Sequence, residues 1–228
     1  MKARKILVSL AALALVAAIS IGGTLAYLTS TQSVKNTFTV GNVSITLDEA
    51  KLDKDGMKLL DKDGKEVTEV AKADRTNTNT YKLLPGHSYV KDPTVTVLAG
   101  SEESYVRMLV TVTFGKTLTD DQLATKLDGI FTGYNAAWVR ADKQTVTVGE
   151  GDVAHTVITY EYRYKTTVSA GAANNVLPAL FTGITVPGDW NGDTLAAIGG
   201  FTIGIEAQAI QADGMEDATD AWAKFPNA

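Results

Sequence analysis

After residue 90 the chain alternates apolar and polar side chains with a period of two, the mark of β-strands that bury one face. The clearest tract is Tyr105 to Phe114. Val106, Met108, Val110, Val112 and Phe114 share one face, Arg107, Thr111 and Thr113 the other, and Leu109 breaks the rule. Ala154 to Tyr164 repeats the pattern, with Ile158, Tyr160, Tyr162 and Tyr164 opposite His155, Thr159, Glu161 and Arg163. Phe201, Ile203, Ile205, Ala207 and Ala209 predict a third long strand. Shorter ones are expected over Val43 to Leu47, Thr94 to Leu98, Thr145 to Val148 and Phe181 to Val186. Gly149-Glu150-Gly151-Asp152, Pro187-Gly188-Asp189 and Asn191-Gly192-Asp193 read as turns between them. Strands at this spacing predict a mostly β chain, an antiparallel β-sandwich, in one domain over residues 43–228.

One or two short peripheral helices are expected beside the strands. Thr119 and Gln122 form a capping box ahead of an apolar stripe at Leu123, Leu127, Ile130 and Phe131. Met215 to Phe225 places Ala218, Ala221, Trp222 and Phe225 on one face. Between residues 51 and 80 the chain is polar and too poor in apolar residues for a core of its own, so it reads as a surface excursion with one hairpin.

The N-terminal quarter follows another pattern. Lys2, Arg4 and Lys5 precede an uncharged run from Ile6 to Ile21, Gly22-Gly23 break it, and Thr24-Leu25-Ala26 offers a small-x-small site. Residues 1–26 are thus expected to be a signal peptide cut between Ala26 and Tyr27. The run is shorter than the roughly 20 residues of a bilayer span, so no stable membrane span is expected after cleavage. From there to Asn42 the sequence has an extended character. Leu28, Val34, Phe38 and Val40 have even parity, whereas Val43, Ile45 and Leu47 are odd. A single flat strand cannot do that, so Gly41 is expected to be a bulge or hinge, and residues 27–42 a separate strand able to pair with its own sheet or a neighbour's.

Gly22 to Ser30 and Asn36 to Val43 resemble the signal and mature N-terminus of the TasA/camelysin family, exported proteins of Gram-positive bacteria processed by a SipW-type signal peptidase. Leu84-Pro85-Gly86, Lys91 to Val97, Tyr105-Val106-Arg107 and Ala209 to Gly214 with Trp222 are similar to further segments of that family. The resemblance implies a jelly-roll form of the sandwich and secretion to the extracellular matrix or cell surface. It also implies self-assembly into biofilm or surface fibres by strand addition, with the SipW-type peptidase as processing partner. The camelysin label adds a metallopeptidase reading. A monomeric surface- or glycan-binding module is the leading alternative, ahead of the peptidase.

Composition and chemistry narrow these choices. The formal charge is −5, and removal of Lys2, Arg4 and Lys5 makes it three units more negative, which argues against nucleic acid as a partner. There is no cysteine, hence no disulfide, thiolate site or Cys nucleophile. His87 and His155, the only histidines, lack the i, i+4 spacing of a zincin helix, and no G-x-S-x-G elbow or P-loop is present, so no catalytic residue and no enzyme is expected. Asp53, Asp55, Asp61 and Asp63, in two Asp-Lys-Asp-Gly repeats, present hard oxygen ligands at alternate positions and are the candidates for weak calcium binding. The twelfth position counted from Asp53 is Gly64 and from Asp61 is Lys72, neither an acid, and Asp-Gly is also a hairpin-turn signal. No other cofactor is expected. The Tyr160, Tyr162, Tyr164 stripe reads as sandwich core ahead of a sugar platform.

Overall fold

The computed structural model describes residues 29–33, 37–39, 43–79, 84–119, 129–190 and 192–226. The chain is mostly β. Its strands in order are β1 (Thr29–Ser33), β2 (Thr37–Thr39), β3 (Ile45–Asp48), β4 (Ser88–Val90), β5 (Thr94–Val97), β6 (Ser104–Phe114), β7 (Phe131–Thr132), β8 (Trp138–Val148), β9 (His155–Tyr164), β10 (Asn175–Val176), β11 (Gly183–Thr185) and β12 (Phe201–Gln211). Two helices, α1 (Gly192–Ile198) and α2 (Ala218–Lys224), flank β12.

The strands form a six-stranded sheet in the order β2-β1-β12-β6-β9-β8 and two three-stranded sheets, β10-β5-β3 and β4-β11-β7, with every pairing antiparallel. The alternation of β6 sets the layers. Val106, Met108, Val110, Val112 and Phe114 are buried, joined on the same side by Ile158, Tyr160 and Tyr162 of β9 and by Ile205, Ala207 and Ala209 of β12. Ile45, Leu47, Val95 and Val97 from one small sheet, with Val43 just ahead of β3, and Tyr89, Phe131 and Ile184 from the other close over them in a single core. The molecule is therefore two-layered, a large sheet facing two small ones. The tyrosine stripe belongs to this core: Tyr160 and Tyr162 are buried and Tyr164 packs against it.

The opposite face of the large sheet carries a second, smaller core. Ile210, Ala221, Trp222 and Phe225 are buried there with Tyr105, Met215 and Ala218 alongside, which docks α2 on the sheet. Asp217 caps α2, accepting from the Thr219 and Asp220 N–H groups, and this starts the helix at Ala218 rather than at the expected Met215.

Several expectations need correction. Ile130 and Phe131, read as the end of a helical stripe, lie in a turn and in β7; residues 120–128 are outside the described set. Of Asn191-Gly192-Asp193, read as a turn, Gly192 and Asp193 open α1, and Asn191 is outside the described residues. The strand expected at Thr145 begins at Trp138, and that expected over Phe181 to Val186 contracts to Gly183–Thr185.

The 51–80 excursion is more ordered than one hairpin. Isolated bridges pair Leu52 with Leu59, Leu60 with Glu66 and Glu49 with Thr76, so the chain folds back twice before returning through a 3-10 turn at Lys72–Asp74. It then covers the outer side of β5, where Lys72 Nζ donates to Thr96 Oγ1 and Arg75 Nη2 to Thr94 Oγ1 at 3.0 Å. This explains why all four residues of β5 are buried although two of them are threonines.

Candidate functional site: the edges and outer face of the large sheet

The large sheet ends in β2 on one side and β8 on the other, and its terminal strands are the places where another chain could add. On the first side, β12 pairs along its whole length with β6, and its other edge takes β1 in the register Thr29↔Ile210 through Ser33↔Glu206. β2 then folds back on β1, with Phe38 opposite Thr31. Of the residues expected to form the assembly strand, only Phe38 is described; Leu28, Val34, Val40 and Gly41 lie outside the described residues, as do Ala26 and Tyr27 of the cleavage site. β2 belongs to the large sheet and β3 to a small one. The parity change between Val40 and Val43 thus accompanies a crossing from one layer to the other. Here β1 sits on its own chain's β12, and β2 on β1.

No protein-family model, curated protein or solved structure matches this chain. Its chemistry must be read from its own residues.

On the second side, β8 is an eleven-residue edge strand in which only Trp138 is buried. Its first half is guarded. The register slips between Arg140 and Asp142, and Arg140, Asp142 and Lys143 follow one another around that bulge, with Lys143 Nζ 5.3 Å from the Tyr160 ring centre. Its second half pairs regularly with β9, Thr145 to Val148 opposite Ile158 to His155, and has no charge. Val139, Val146 and Val148 are about half exposed.

The outer face carries a charged row. Arg107 Nε donates to Gln208 Oε1 at 2.7 Å and Nη1 to Glu161 Oε2 at 3.2 Å, and the other oxygen of Glu161 accepts from Arg163 Nε. Gln208 Nε2 in turn donates to Glu206 Oε1 at 2.7 Å. The Arg107 guanidinium lies beneath α2, over the rings of Trp222 and Phe225. Burial there holds its pKa below the usual arginine value in spite of the neighbouring Glu161. At the end of the same face a cleft of about 730 Å³ is lined by Glu102, Glu103, Tyr105, Thr167, Gln211, Ala212 and Asp213, with Thr167 Oγ1 donating to Glu103. The alternation of β6 and β9 placed Arg107, Glu161 and Arg163 on outer faces. The register that joins them was not visible from the chain alone.

The aspartate repeats form two turns. Asp53 Oδ1 accepts from the Met57 and Lys58 N–H groups at 2.9 and 3.1 Å, and Gly56 at φ 70° closes the turn onto the Asp53 carbonyl. Asp61 Oδ1 accepts from Asp63 and Lys65 N–H, both at 2.9 Å, with Gly64 at φ 81°. For Asp53 burial, which raises its pKa, is outweighed by the Met57, Lys58 and Asp55 N–H groups and the Lys58 charge together; for Asp61 the Lys65 N–H leads in lowering it. Asp55 and Asp63 point instead to the neighbouring Lys54 and Lys62. Among the described residues no group of three or more His, Cys, Asp or Glu side chains converges on one point. His87 is exposed, and His155 Nδ1 lies 3.1 Å from the Val153 carbonyl. No helix among the described residues is long and apolar enough to cross a membrane.

Proposed function

We propose that this chain is a secreted, non-catalytic structural protein, a matrix or cell-surface fibre subunit that assembles by β-strand addition, with the jelly-roll strand arrangement its family resemblance implies. The observation that carries the reading is the seat of β1. β1 lies along the edge of β12 in a five-residue register, with β2 folded back on its other side and β3 in the opposite layer. A terminal strand in that position is exchangeable: the same main-chain bonds form whether it comes from its own chain or from the next, and alternate side chains set the specificity. In this reading β1, carrying β2 with it, occupies the edge of its own β12 in the monomer and of a neighbour's β12 in the fibre. The peptidase cut after Ala26 frees the segment to move. Neither calcium nor another cofactor is required.

The test is to compare protein starting at Tyr27 with protein lacking residues 27–40, by light scattering and electron microscopy. The longer protein forms fibres; the shorter one stays a folded, less stable monomer, and a peptide of residues 27–40 raises its melting temperature to a plateau. A longer protein that remains monomeric at every concentration, or a truncated one that still polymerises, would overturn the reading.

A further inference from the structure

Edge strands in soluble proteins are normally defended along their length by charges, bulges, prolines or covering loops. β8 is defended over only half of its length. Through the bulge at Arg140 and Asp142 and on to Lys143, the strand is irregular and charged. From Gln144 to Val148 it is regular, exposed, uncharged and mostly β-branched. Among the described residues it has a strand neighbour on one side only. Val153, three-quarters exposed, sits in the turn just beyond, and Val157 lies opposite Val146.

We propose that this half of β8 is a self-pairing edge, which adds antiparallel to the same half of β8 in a second copy across a two-fold axis at Val146. Two features point to a second copy as the occupant. First, Thr145-Val146-Thr147 reads the same in both directions. An antiparallel two-fold sets Val146 against Val146 and Thr145 against Thr147, so like β-branched residues oppose each other on each face. Second, the ends of the strand are charge-complementary under that operation. Arg140, Asp142 and Lys143, two cations and one acid, precede the tract; Glu150 and Asp152, two acids, follow it, and all five are exposed. The two-fold brings the first group of each copy beside the second group of the other, twice, in a chain whose overall charge of −5 otherwise opposes self-contact. Asp142 faces Glu150 in this register, a like-sign pair that the adjacent Lys143 offsets. The two large sheets merge into one, with a β2 edge at each end. The contact does not depend on the seat of β1 and is separate from strand exchange at β12.

The absence of cysteine makes the test direct. In protein starting at Tyr27, Val146→Cys is oxidised gently and run on a non-reducing gel beside Val139→Cys, whose valine is equally exposed but lies in the guarded half. Pairing brings the two introduced thiols of Val146→Cys together, so the linked dimer forms at least about tenfold faster than with Val139→Cys, as an effective-concentration gain requires. Sedimentation velocity gives twice the chain mass for the parent protein and a single mass for Val146→Lys, with unchanged circular dichroism. Added salt weakens the dimer. Equal linking rates for the two cysteine variants, or one mass for parent and Val146→Lys alike, would overturn the proposal. So would binding of a residue 27–40 peptide to a monomeric parent in a manner lost in Val146→Lys, since the edge would then belong to the N-terminal segment. If fibres obscure sedimentation, the linking rates still decide the matter, and they move independently of the strand-exchange test.

Discussion

The guanidinium carbon of Arg107 lies 4.3 Å from the centre of the Trp222 ring. One residue belongs to the middle of the large sheet and the other to the last helix. Arg107 is also held by Gln208 and Glu161, so a sheet cation fixed by its neighbours forms the floor on which α2 rests. Trp222→Ala removes the largest side chain of the small core that docks α2. It is expected to cost about 3–5 kcal/mol, read as a drop in melting temperature with early exchange of the α2 amides. Unchanged exchange in α2 would mean that something else retains the helix.

Val110 is fully buried at the centre of β6, between Tyr160 of β9 and Ile205 of β12. Val110→Asp places a carboxylate among the apolar side chains of the core. The penalty, several kcal/mol, is comparable to the roughly 5–15 kcal/mol that stabilises a typical domain. The variant is expected to be unfolded by circular dichroism at neutral pH.

Gly115 and Gly199 touch through their backbones at the far end of β6 and β12. A Cβ on Gly115 would stand 2.2 Å from the Gly199 carbonyl oxygen, and one on Gly199, where φ is +69°, would stand 2.7 Å from the Gly115 carbonyl carbon. Neither neighbour is a flexible side chain. Gly115→Ala and Gly199→Ala are each expected to destabilise by about 2 kcal/mol or more in denaturant titration. Gly129→Ala, with nothing within 4 Å of the added carbon, serves as the neutral control for steric clash.

Arg75 ties the excursion to the small sheet. Its side chain donates to Asp48 and, at 2.7 Å, to Asp92 Oδ2, and it also reaches the carbonyls of both. Burial, which lowers the arginine pKa, is outweighed by these two acids. Arg75→Met leaves two largely buried carboxylates without their cation. A loss of about 2–3 kcal/mol is expected, with new protease cuts between Ala71 and Asn79. An uncut variant of parental stability would assign the attachment to the backbone pairing of Glu49 with Thr76, at 2.7 and 2.8 Å.

Asp61 provides a pH test of the turn. Its pKa is depressed in the folded chain, so its contribution is complete above the unfolded carboxylate value and disappears as pH falls through the lower, folded one. In a titration followed by NMR, the Lys65 and Asp63 amides should move together below the usual carboxylate range. In Asp61→Ala that movement should vanish, with little change in global stability because the carboxylate is exposed.

The parts of this architecture visible in the chain were those in which burial is one-sided. β6, β9 and β12 announce themselves because one face meets the core and the other does not. Leu109, the exception in β6, is half-buried between Glu161 and Glu206 on the outer face. The first half of β8 left no such signal because both of its faces meet solvent after Trp138. β5 lost its alternation for the opposite reason, being covered on both sides. β7 and β10, two residues each, are too short to carry a period. α1 was hidden by the Asn-Gly-Asp turn signal at its start. The aspartate repeats were legible as turns because their chemistry is local. The charged row of Arg107, Glu161 and Gln208 was not, because it depends on which residues register across three strands.

The order of strands in the large sheet has a kinetic consequence. Among the described residues β1 is the first strand and its partner β12 the last. A polypeptide that leaves the ribosome or a translocation channel N-terminus first exposes β1 long before β12 follows. Throughout that interval β1 has no seat on its own chain, and closing so long a loop is expected to be slow, because contacts distant in sequence form late. In the strand-exchange reading, that interval is when β1 is open to a finished neighbour.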